Sequence, residues 1–192
     1  MKYSPYIPLA YVDIERICAN YRHLCSFLAA DEFSSGPTVT LPGRDEKDVP
    51  FTWPAMLPVI KSDAYGHGHI RVAQALIEKE GVRIFASGRV QEASELRQGL
   101  EEAGGRQENA VDGPPPVILS LLGPVGPEDV ELCEKFNIIP TIHSMEQLPL
   151  LASLKKRLPV AIKCNSGMAR LGFGPGDMVV VFDGGDTQNQ LL

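Results

Sequence analysis

Apolar residues along the chain alternate between the spacing of amphipathic helices and short uninterrupted runs. Helical spacing brings residues three or four apart onto one face, whereas a short apolar run bounded by glycine or proline is typical of a buried strand. The predicted helices are 13–29, where Ile14, Ile17, Tyr21, Leu24 and Leu28 share a face, and 69–81, 90–100, 127–136 and 144–157. The predicted strands are 56–61, 82–87, 116–123, 138–142 and 158–165.

Residues at the helix ends support three of these assignments. Gly81 closes the second predicted helix, as glycine commonly does at a carboxyl terminus. Pro127 opens the fourth helix together with acidic residues, which favour a helix amino terminus. Ser144 is the predicted amino-terminal cap of the fifth helix, with Gln147 three residues later as its capping-box partner.

Strands that alternate with amphipathic helices predict a parallel sheet covered by helices. Two α/β architectures fit this order, a doubly wound sheet and a TIM-type barrel. The pattern contains five strand–helix positions, whereas a closed (β/α)8 barrel needs eight and typically about 250 residues. A barrel built from residues 1–192 would therefore be incomplete by about three units.

Polar segments interrupt this pattern. Residues 30–55 form a Pro/Gly-rich insert that we expect to be a mobile loop, and a second polar loop follows residue 100. After residue 175 a helix is expected, but 179–185 has the composition of a strand and no further strand follows. We interpret 176–192 as an atypical tail and as a sign of early termination.

The composition is that of a globular protein, with 44% hydrophobic residues. A net charge of −6 argues against nucleic acid as the main partner, because phosphate binding requires an excess of Lys and Arg. No apolar stretch approaches the roughly 20 residues of a membrane span, and the amino terminus lacks a signal-peptide core, so we expect a cytoplasmic protein without a membrane partner. Cys18, Cys25, Cys133 and Cys164 are scattered and are expected to be reduced thiols, with a disulfide or zinc site as the alternative.

The segment VIKSDAYGHG, residues 59–68, places Lys61 where a predicted strand ends. The carboxyl ends of strands carry the chemistry of parallel α/β folds, and a lysine amine can form a Schiff base with a carbonyl compound. The glycine-rich loop that follows suits an anion such as phosphate. The alternative is a lysine that reaches solvent before an ordinary turn. For the neighbouring His67 and His69 we expect loop hydrogen bonds and no metal.

The segment VAIKCNSGMARLGF, residues 160–173, repeats this arrangement. Lys163 lies near the end of a predicted strand, and Arg170 follows a polar turn. An ordinary turn with a surface arginine is the alternative. Two strand-end lysines that each precede a glycine turn are difficult to explain by core packing alone, but their spacing does not identify a reaction.

Both segments resemble sequences of the alanine racemase family. VIKSDAYGHG resembles the pyridoxal-phosphate lysine motif V-x-K-A-[ND]-A-Y-G-H-G, and KCNSGMARLG resembles K-x-D-T-G-M-x-R-[LI]-G. FASGRVQEASELRQGL, PTIHSMEQLPLL and YVDIERICANYRHL also resemble family segments. The similarity runs in the family's order from about residue 9 to about residue 175.

The resemblance implies a (β/α)8 TIM-type barrel that binds pyridoxal 5'-phosphate, here incomplete at about five units, and a β-rich C-terminal domain that is absent from this chain. It also implies a homodimer that interconverts L-alanine and D-alanine and so supplies D-alanine for cell-wall peptidoglycan. Lys61 would hold the cofactor and act as the base toward the α-proton of D-alanine, and Tyr65 would hydrogen-bond the cofactor phosphate. Arg170 would bind the substrate and contact the cofactor's phenolic oxygen. Lys163 matches a lysine that is carbamylated in many members and that positions this arginine.

Several positions depart from the family pattern. Ser62 replaces an alanine, and Asn165 and Ser166 replace aspartate and threonine, which weakens the match around Lys163. The family's second acid–base group is a tyrosine of the C-terminal domain, and no tyrosine follows Tyr65 in this sequence. We therefore expect impaired racemase activity. The alternatives are another amino-acid racemase or a decarboxylase on the same barrel, a non-catalytic protein that binds the cofactor, and a structural remnant.

Overall fold

A computed structural model describes residues 10–29, 38–41, 49–52, 56–104, 114–174 and residue 176 of the 192-residue chain. The helices are α1 (Ile14–Ala29), α2 (Lys61–Gly66), α3 (His69–Glu80), α4 (Val90–Gly104), α5 (Pro127–Phe136) and α6 (Leu148–Leu151), with a 3-10 turn at Met145–Gln147. The strands are β1 (Thr38–Leu41), β2 (Val49–Thr52), β3 (Ile84–Ser87), β4 (Val117–Ser120), β5 (Ile138–Ile142) and β6 (Ala161–Ile162).

Four strands form a parallel sheet in the order β3-β4-β5-β6. A further extended segment lies beside β3, where Val59 pairs in parallel with Ala86. The Ile60 amide donates to the Ala86 carbonyl and the Ala86 amide donates to the Pro58 carbonyl, both at 2.9 Å. The five predicted strand positions are therefore confirmed as neighbours in one parallel arrangement.

The two faces of this sheet are packed differently, which distinguishes the two architectures. Phe85 and Ile118 belong to a cluster that includes buried residues of α3, α4 and α5. Their strand neighbours Ile84 and Val117 belong to a second cluster, formed by strand residues and Leu57. Because successive side chains of a strand face opposite sides, these helices pack on one face of the sheet. A doubly wound sheet carries helices on both faces, so the described residues form part of a TIM-type barrel.

The first helix packs against α3 on the helix-covered side of the sheet. Ile14, Ile17 and Tyr21 are partly buried against the core, as their shared face predicts, and Cys18 beside them is fully buried. Leu24 lies on the same predicted face but is 49% exposed. The core contacts of α1 therefore come mainly from its first half.

The prediction of a loop over residues 30–55 is wrong in part. β1 and β2 pair antiparallel inside this insert, with Thr38 opposite Thr52 and Leu41 opposite Val49. Both strands are rich in β-branched residues, which favour extended backbone, whereas the surrounding Pro, Gly and charged residues dominate the average composition. The rest of the insert and the predicted tail, apart from residue 176, lie outside the described residues.

The prediction of a capped helix over 144–157 is also wrong. The regular helix there is α6, and the Ser144 side chain makes no cap hydrogen bond to it. The amide of Gln147's side chain donates to the carbonyls of Leu122 at 3.1 Å and Pro124 at 3.0 Å, while its oxygen accepts the His143 amide at 2.8 Å. Gln147 therefore connects the loops after β4 and β5 and does not complete a capping box.

The end of α6 has a tertiary cause. Beyond Leu151 the amides of Lys155 and Lys156 donate to the carboxylate of Glu134 on α5, at 2.5 and 3.0 Å. Amides that bind a side chain of another helix cannot continue the helical ladder. The helix therefore stops well short of residue 157.

The structure also bears on the predicted thiols and on the prediction that no segment spans a membrane. All four cysteines are free thiols, as expected. Burial, followed by the nearby carboxylate of Asp129, raises the pKa of Cys133 to about 12, so this thiol stays protonated near neutral pH. Of the helices in the described part of the chain, none is both long and apolar enough to cross a membrane.

Candidate functional site

Lys61 lies at the carboxyl end of the strand segment beside β3. The regular backbone bonds to β3 end at Ile60, and Lys61 is the next residue, half-buried at the edge of the sheet. Gly88 follows β3 at the same edge, and a Cβ atom there would lie 3.4 Å from Cβ of Lys61. The predicted location of Lys61 is therefore confirmed, and the absence of a side chain at Gly88 leaves space around it.

The chain turns sharply after Lys61 in an unusual backbone conformation. Four successive non-glycine residues, Ser62 to Tyr65, have φ between 52 and 55°. Left-handed helical backbone costs about 1–2 kcal/mol per residue for L-amino acids, so a run of four requires compensating contacts. The Ala64 amide donates to the Ile60 carbonyl at 3.0 Å, and Ala64 is buried in the core. We call residues 62–65 the left-handed turn; they lie within α2, which is therefore not a regular α-helix.

Lys61 and Tyr65 are brought together by the left-handed turn. Nζ of Lys61 lies 5.9 Å from the centroid of the Tyr65 ring, within the range of a cation–π interaction. Tyr65 is 61% exposed, so most of its side chain remains accessible from solvent. The structure thus places the predicted cofactor lysine beside the predicted phosphate-binding tyrosine.

Glu92, which lies outside the two lysine motifs, holds the start of the left-handed turn. It lies in the first turn of α4 and accepts hydrogen bonds from the Gly88 amide at 3.0 Å and the Ser87 hydroxyl at 3.1 Å. The amides of Ser62 and Arg89 also donate to it. Burial raises the pKa of Glu92, but these hydrogen bonds together outweigh burial and hold the pKa below its ordinary value. An acid in the first turn of a helix was the available sequence signal, and it pointed only to a helix end.

Asp63 and His69 connect the left-handed turn to the start of α3. Oδ1 of Asp63 accepts a hydrogen bond from the His69 amide at 2.8 Å and lies 2.6 Å from Nδ1 of the same residue. The amide of His69, followed by its ring, holds the pKa of Asp63 below its usual value. Nε2 of His69 is buried and has no hydrogen-bond partner within the described part of the chain. In the tautomer with its proton on Nδ1, the ring donates to Asp63 and leaves no buried N–H without a partner.

His67 confirms the prediction of a loop histidine that makes hydrogen bonds. Its Nδ1 lies 2.8 Å from the Ala64 carbonyl oxygen and 3.1 Å from the Tyr65 carbonyl oxygen. With a proton on Nδ1, the ring donates to carbonyls of the left-handed turn. Within the ranges that the structure describes, no group of three or more His, Cys, Asp or Glu residues is arranged to hold a metal ion.

The second lysine segment folds into a closed loop beyond β6. The Lys163 amide donates to the Ile142 carbonyl of β5 at 2.9 Å, and the Lys163 carbonyl accepts the Phe173 amide at 2.8 Å. Inside the loop, Oδ1 of Asn165 accepts the Ala169 amide at 2.9 Å. Asn165, which departs from the family motif, therefore stabilises the turn through its side-chain oxygen.

Arg170 lies in the exposed part of this loop. Its Nη2 contacts the sulfur of Met168 at 2.8 Å. Gly172 has φ of 121°, and a Cβ atom there would lie 2.8 Å from the Asn165 amide nitrogen and 2.9 Å from the Lys163 carbonyl oxygen. Glycine is therefore required at position 172, and the resulting close approach sets the path of the segment that presents Arg170.

The candidate residues form two groups in the described structure. Lys61 with Tyr65 follows the segment beside β3, and Lys163 with Arg170 follows β6. Three strands, β3 to β5, separate the two groups within the sheet. Both groups lie at carboxyl ends of parallel strands, and the curvature of a barrel turns such ends toward one central opening.

The family comparison covers both lysine motifs. Residues 52–190 match the family described as alanine racemase, N-terminal domain. This range is more than half of the chain and contains Lys61, Tyr65, Lys163 and Arg170.

Individual relatives give the same result. Alanine racemase of Nitratidesulfovibrio vulgaris (strain DSM 19637 / Miyazaki F) is 40% identical over 133 residues, which are 68% of this chain and 32% of that protein. Alanine racemase of Lawsonia intracellularis is 36% identical over 137 residues, again 68% of this chain and 32% of that protein. The chain therefore spans about a third of the length of these curated relatives.

Solved structures support the fold. Biosynthetic alanine racemase from Pseudomonas aeruginosa superimposes with a TM-score of 0.54 and 30% identity, over 65% of this chain and 31% of that chain. Alanine racemase from Oenococcus oeni gives a TM-score of 0.57 over 90% of this chain and 35% of that chain. The second match is 23% identical and shows the fold alone.

Proposed function

The chain belongs to the family of alanine racemase N-terminal domains, and we propose that it contributes the cofactor lysine of a racemase that interconverts L-alanine and D-alanine with pyridoxal 5'-phosphate. The observation that carries this proposal is Lys61, half-buried at the carboxyl end of a parallel strand with Tyr65 beside its ammonium group. We extend the proposal to what the family resemblance implies, namely a homodimer in the cytoplasm that supplies D-alanine for peptidoglycan.

The surroundings of Lys61 fit this cofactor. In the part of the chain that the structure describes, no carboxylate forms an ion pair with Lys61, and its ammonium group meets an aromatic ring. An amine that no carboxylate holds in an ion pair can approach an aldehyde carbonyl. Apart from its chain neighbours, a Cβ atom placed on Gly66 or Gly68 would meet no atom within 4 Å, so the loop after Tyr65 is open at these two glycines.

Each candidate residue has a distinct task in this proposal. When bound, pyridoxal phosphate supplies an electron sink that stabilises negative charge on the substrate's α-carbon. Lys61 would hold the cofactor. Once substrate has replaced Lys61 on the cofactor, Nζ of Lys61 would remove or return the α-proton of D-alanine. The Tyr65 hydroxyl donates to the cofactor phosphate. The Arg170 guanidinium pairs with the substrate carboxylate, and Lys163, as a carbamate, positions Arg170 from the same loop.

Racemisation requires an acid–base group on each face of the α-carbon. Lys61 serves one face, and the family resemblance assigns the other face to a tyrosine of a C-terminal β domain in the partner subunit. A single base returns a proton to the face from which it came, so configuration is retained. We therefore expect residues 1–192, tested by themselves, to exchange the α-proton of D-alanine faster than they invert D-alanine.

Deuterium exchange at the α-carbon tests this function. The chain is incubated with pyridoxal phosphate and D-alanine in D2O, and loss of the α-proton signal is followed by NMR. We expect exchange in the wild type and only the rate of free cofactor in Lys61→Ala. Lys135→Ala is the matched control, because Nζ of Lys135 lies 4.9 Å from the Phe136 ring but on α5, and it should exchange at the wild-type rate.

The other outcomes discriminate between the alternatives. If the α-proton of serine, lysine or ornithine exchanges faster than that of alanine, that amino acid and not alanine is the substrate. Cofactor bound at Lys61 without exchange of any amino acid would contradict the racemase proposal and favour a protein that binds the cofactor without catalysis.

A further inference from the structure

We infer that His69 is a positioning residue for the cofactor lysine and that it acts through Asp63. The inference rests on the proposed function, because it concerns how Lys61 is presented to the cofactor. His69 follows the lysine motif and is the first residue of α3. The left-handed turn lies between Lys61 and α3, so its geometry determines where the lysine side chain begins.

The contacts of Asp63 show how His69 fixes this geometry. Oδ1 of Asp63 binds both the amide and Nδ1 of His69, at 2.8 and 2.6 Å. The Asp63 carbonyl accepts the Gly68 amide at 2.9 Å. Asp63 has φ of 55° and lies two residues after Lys61. A side chain and a carbonyl held at the same residue leave its unfavourable backbone angles little freedom to relax.

The His69 ring is placed for this hydrogen bond at a cost. Its side chain is 16% exposed, and its buried Nε2 has no partner among the described residues. An unpaired buried nitrogen opposes folding, and an apolar side chain of similar size would avoid it. The contact between Nδ1 and Asp63 is the compensating interaction at this position.

Two side chains hold the first two residues of the turn. Glu92 binds the Ser62 amide, and the His69 ring binds Asp63. If the ring contact is removed, the His69 amide still binds Asp63, but the hold on the turn weakens and Lys61 samples directions that do not reach the cofactor. Lys61 then captures pyridoxal phosphate less often, because its reaction with the cofactor aldehyde requires the amine in a defined position.

Two substitutions at position 69 separate positioning from packing. The apparent dissociation constant of pyridoxal phosphate is measured by titration, borohydride reduction and mass spectrometry of the peptide that contains residue 61. For His69→Leu we expect about a fivefold to tenfold increase, the size of one ordinary hydrogen bond, because Asp63 is largely exposed. For His69→Asn we expect a change of less than about twofold, because the Asn amide nitrogen can occupy the place of Nδ1.

A packing role predicts the reverse order, because leucine fills the volume of the ring better than asparagine. Capture that is stronger in His69→Leu than in His69→Asn would therefore overturn the inference. His23→Leu, at an exposed position on α1, is the matched control and should leave the dissociation constant unchanged. Urea unfolding establishes that each variant is folded.

A double-mutant cycle tests whether His69 acts through Asp63. In an Asp63→Ala background, His69→Leu should cause no further loss of capture, whereas additive losses would contradict the route through Asp63.

Amide hydrogen exchange provides a readout without cofactor. The Gly68 amide should exchange faster in His69→Leu than in wild type and at the wild-type rate in His69→Asn. Equal exchange in wild type and His69→Leu would overturn the inference. If wild-type Lys61 captures no cofactor, the proposed function fails, and this exchange measurement still decides whether His69 fixes the turn.

Discussion

The roles of Lys61 and Tyr65 can be predicted from a short motif. The side chains that hold these two residues cannot, because they depend on contacts between elements that are separate in the sequence. The pattern of a lysine at a strand end before a glycine-rich loop predicts that Lys61 lies at the edge of the sheet, and it does. Glu92 reads in the sequence as an acid at a helix start, and His69 reads as a loop histidine. Charge pattern alone does not show which amide a carboxylate faces, so their roles could not be predicted. The left-handed backbone was also unpredictable, because serine, alanine and tyrosine disfavour it and aspartate adopts it only occasionally.

Glu92→Gln tests the anchor at the start of the left-handed turn. The pKa of Glu92 is below its ordinary value in the folded protein, so the charge contributes stability above the ordinary carboxyl pKa. This contribution is lost as the pH falls through the folded-state pKa. We expect Glu92→Gln to lower the free energy of unfolding by about 1 kcal/mol at pH 7, with a smaller difference in acid.

Urea unfolding at several pH values measures this difference. Glu95→Gln, an exposed acid on the same helix, is the control and should cost little at any pH. A Glu92→Gln variant as stable as wild type at pH 7 would show that the carboxylate charge does not hold the turn.

Elements with strong local end signals are predicted most accurately. The fourth predicted helix begins at Pro127 and ends before Asn137, whose φ of 50° is left-handed, and β5 follows directly. The prediction of the fifth helix is wrong because Gln147 binds the loop after β4 and Glu134 binds the amides beyond α6. These partners are distant in the sequence, so local spacing could not reveal them. The same loop after β4 depends on Gly123 for its close approach to β5.

Gly123→Ala tests this approach between the loop and β5. Gly123 has φ of 66°, and a Cβ atom there would lie 2.0 Å from the backbone oxygen of Thr141. Backbone cannot move aside as a flexible side chain can, so we expect a loss of about 2–4 kcal/mol in the free energy of unfolding. Gly126→Ala is the matched control, because its φ is −153° and a Cβ atom there would meet nothing within 4 Å.

Chemical denaturation followed by circular dichroism compares these two glycine variants. We expect a marked drop of the unfolding midpoint for Gly123→Ala and a loss of no more than about 1 kcal/mol for Gly126→Ala, which changes only the N-cap of α5. Similar midpoints for the two variants would mean that the loop relaxes without cost.

For the whole molecule, alternation of strands and helices predicts a parallel α/β fold but leaves two architectures open. The structure distinguishes them, because strand residues on one face join the helices and those on the other face join each other. The family similarity and the superposition on the Pseudomonas aeruginosa enzyme agree with this part of a barrel. Lys61 with Tyr65 and Lys163 with Arg170 lie at strand ends on either side of β3 to β5. In the proposed enzyme, these two groups face one cofactor across the barrel opening.

The central claim, that Lys61 holds pyridoxal phosphate, is tested most directly by locating the cofactor on the chain. The purified chain is incubated with pyridoxal phosphate, dialysed, examined for visible absorbance, reduced with borohydride and mapped by mass spectrometry. Lys61→Ala and Lys135→Ala are treated in parallel. We expect an absorbance band and modification of the peptide containing residue 61 in wild type and Lys135→Ala, and the loss of both in Lys61→Ala. No band, or modification distributed over surface lysines such as Lys155 without preference for Lys61, would contradict this claim.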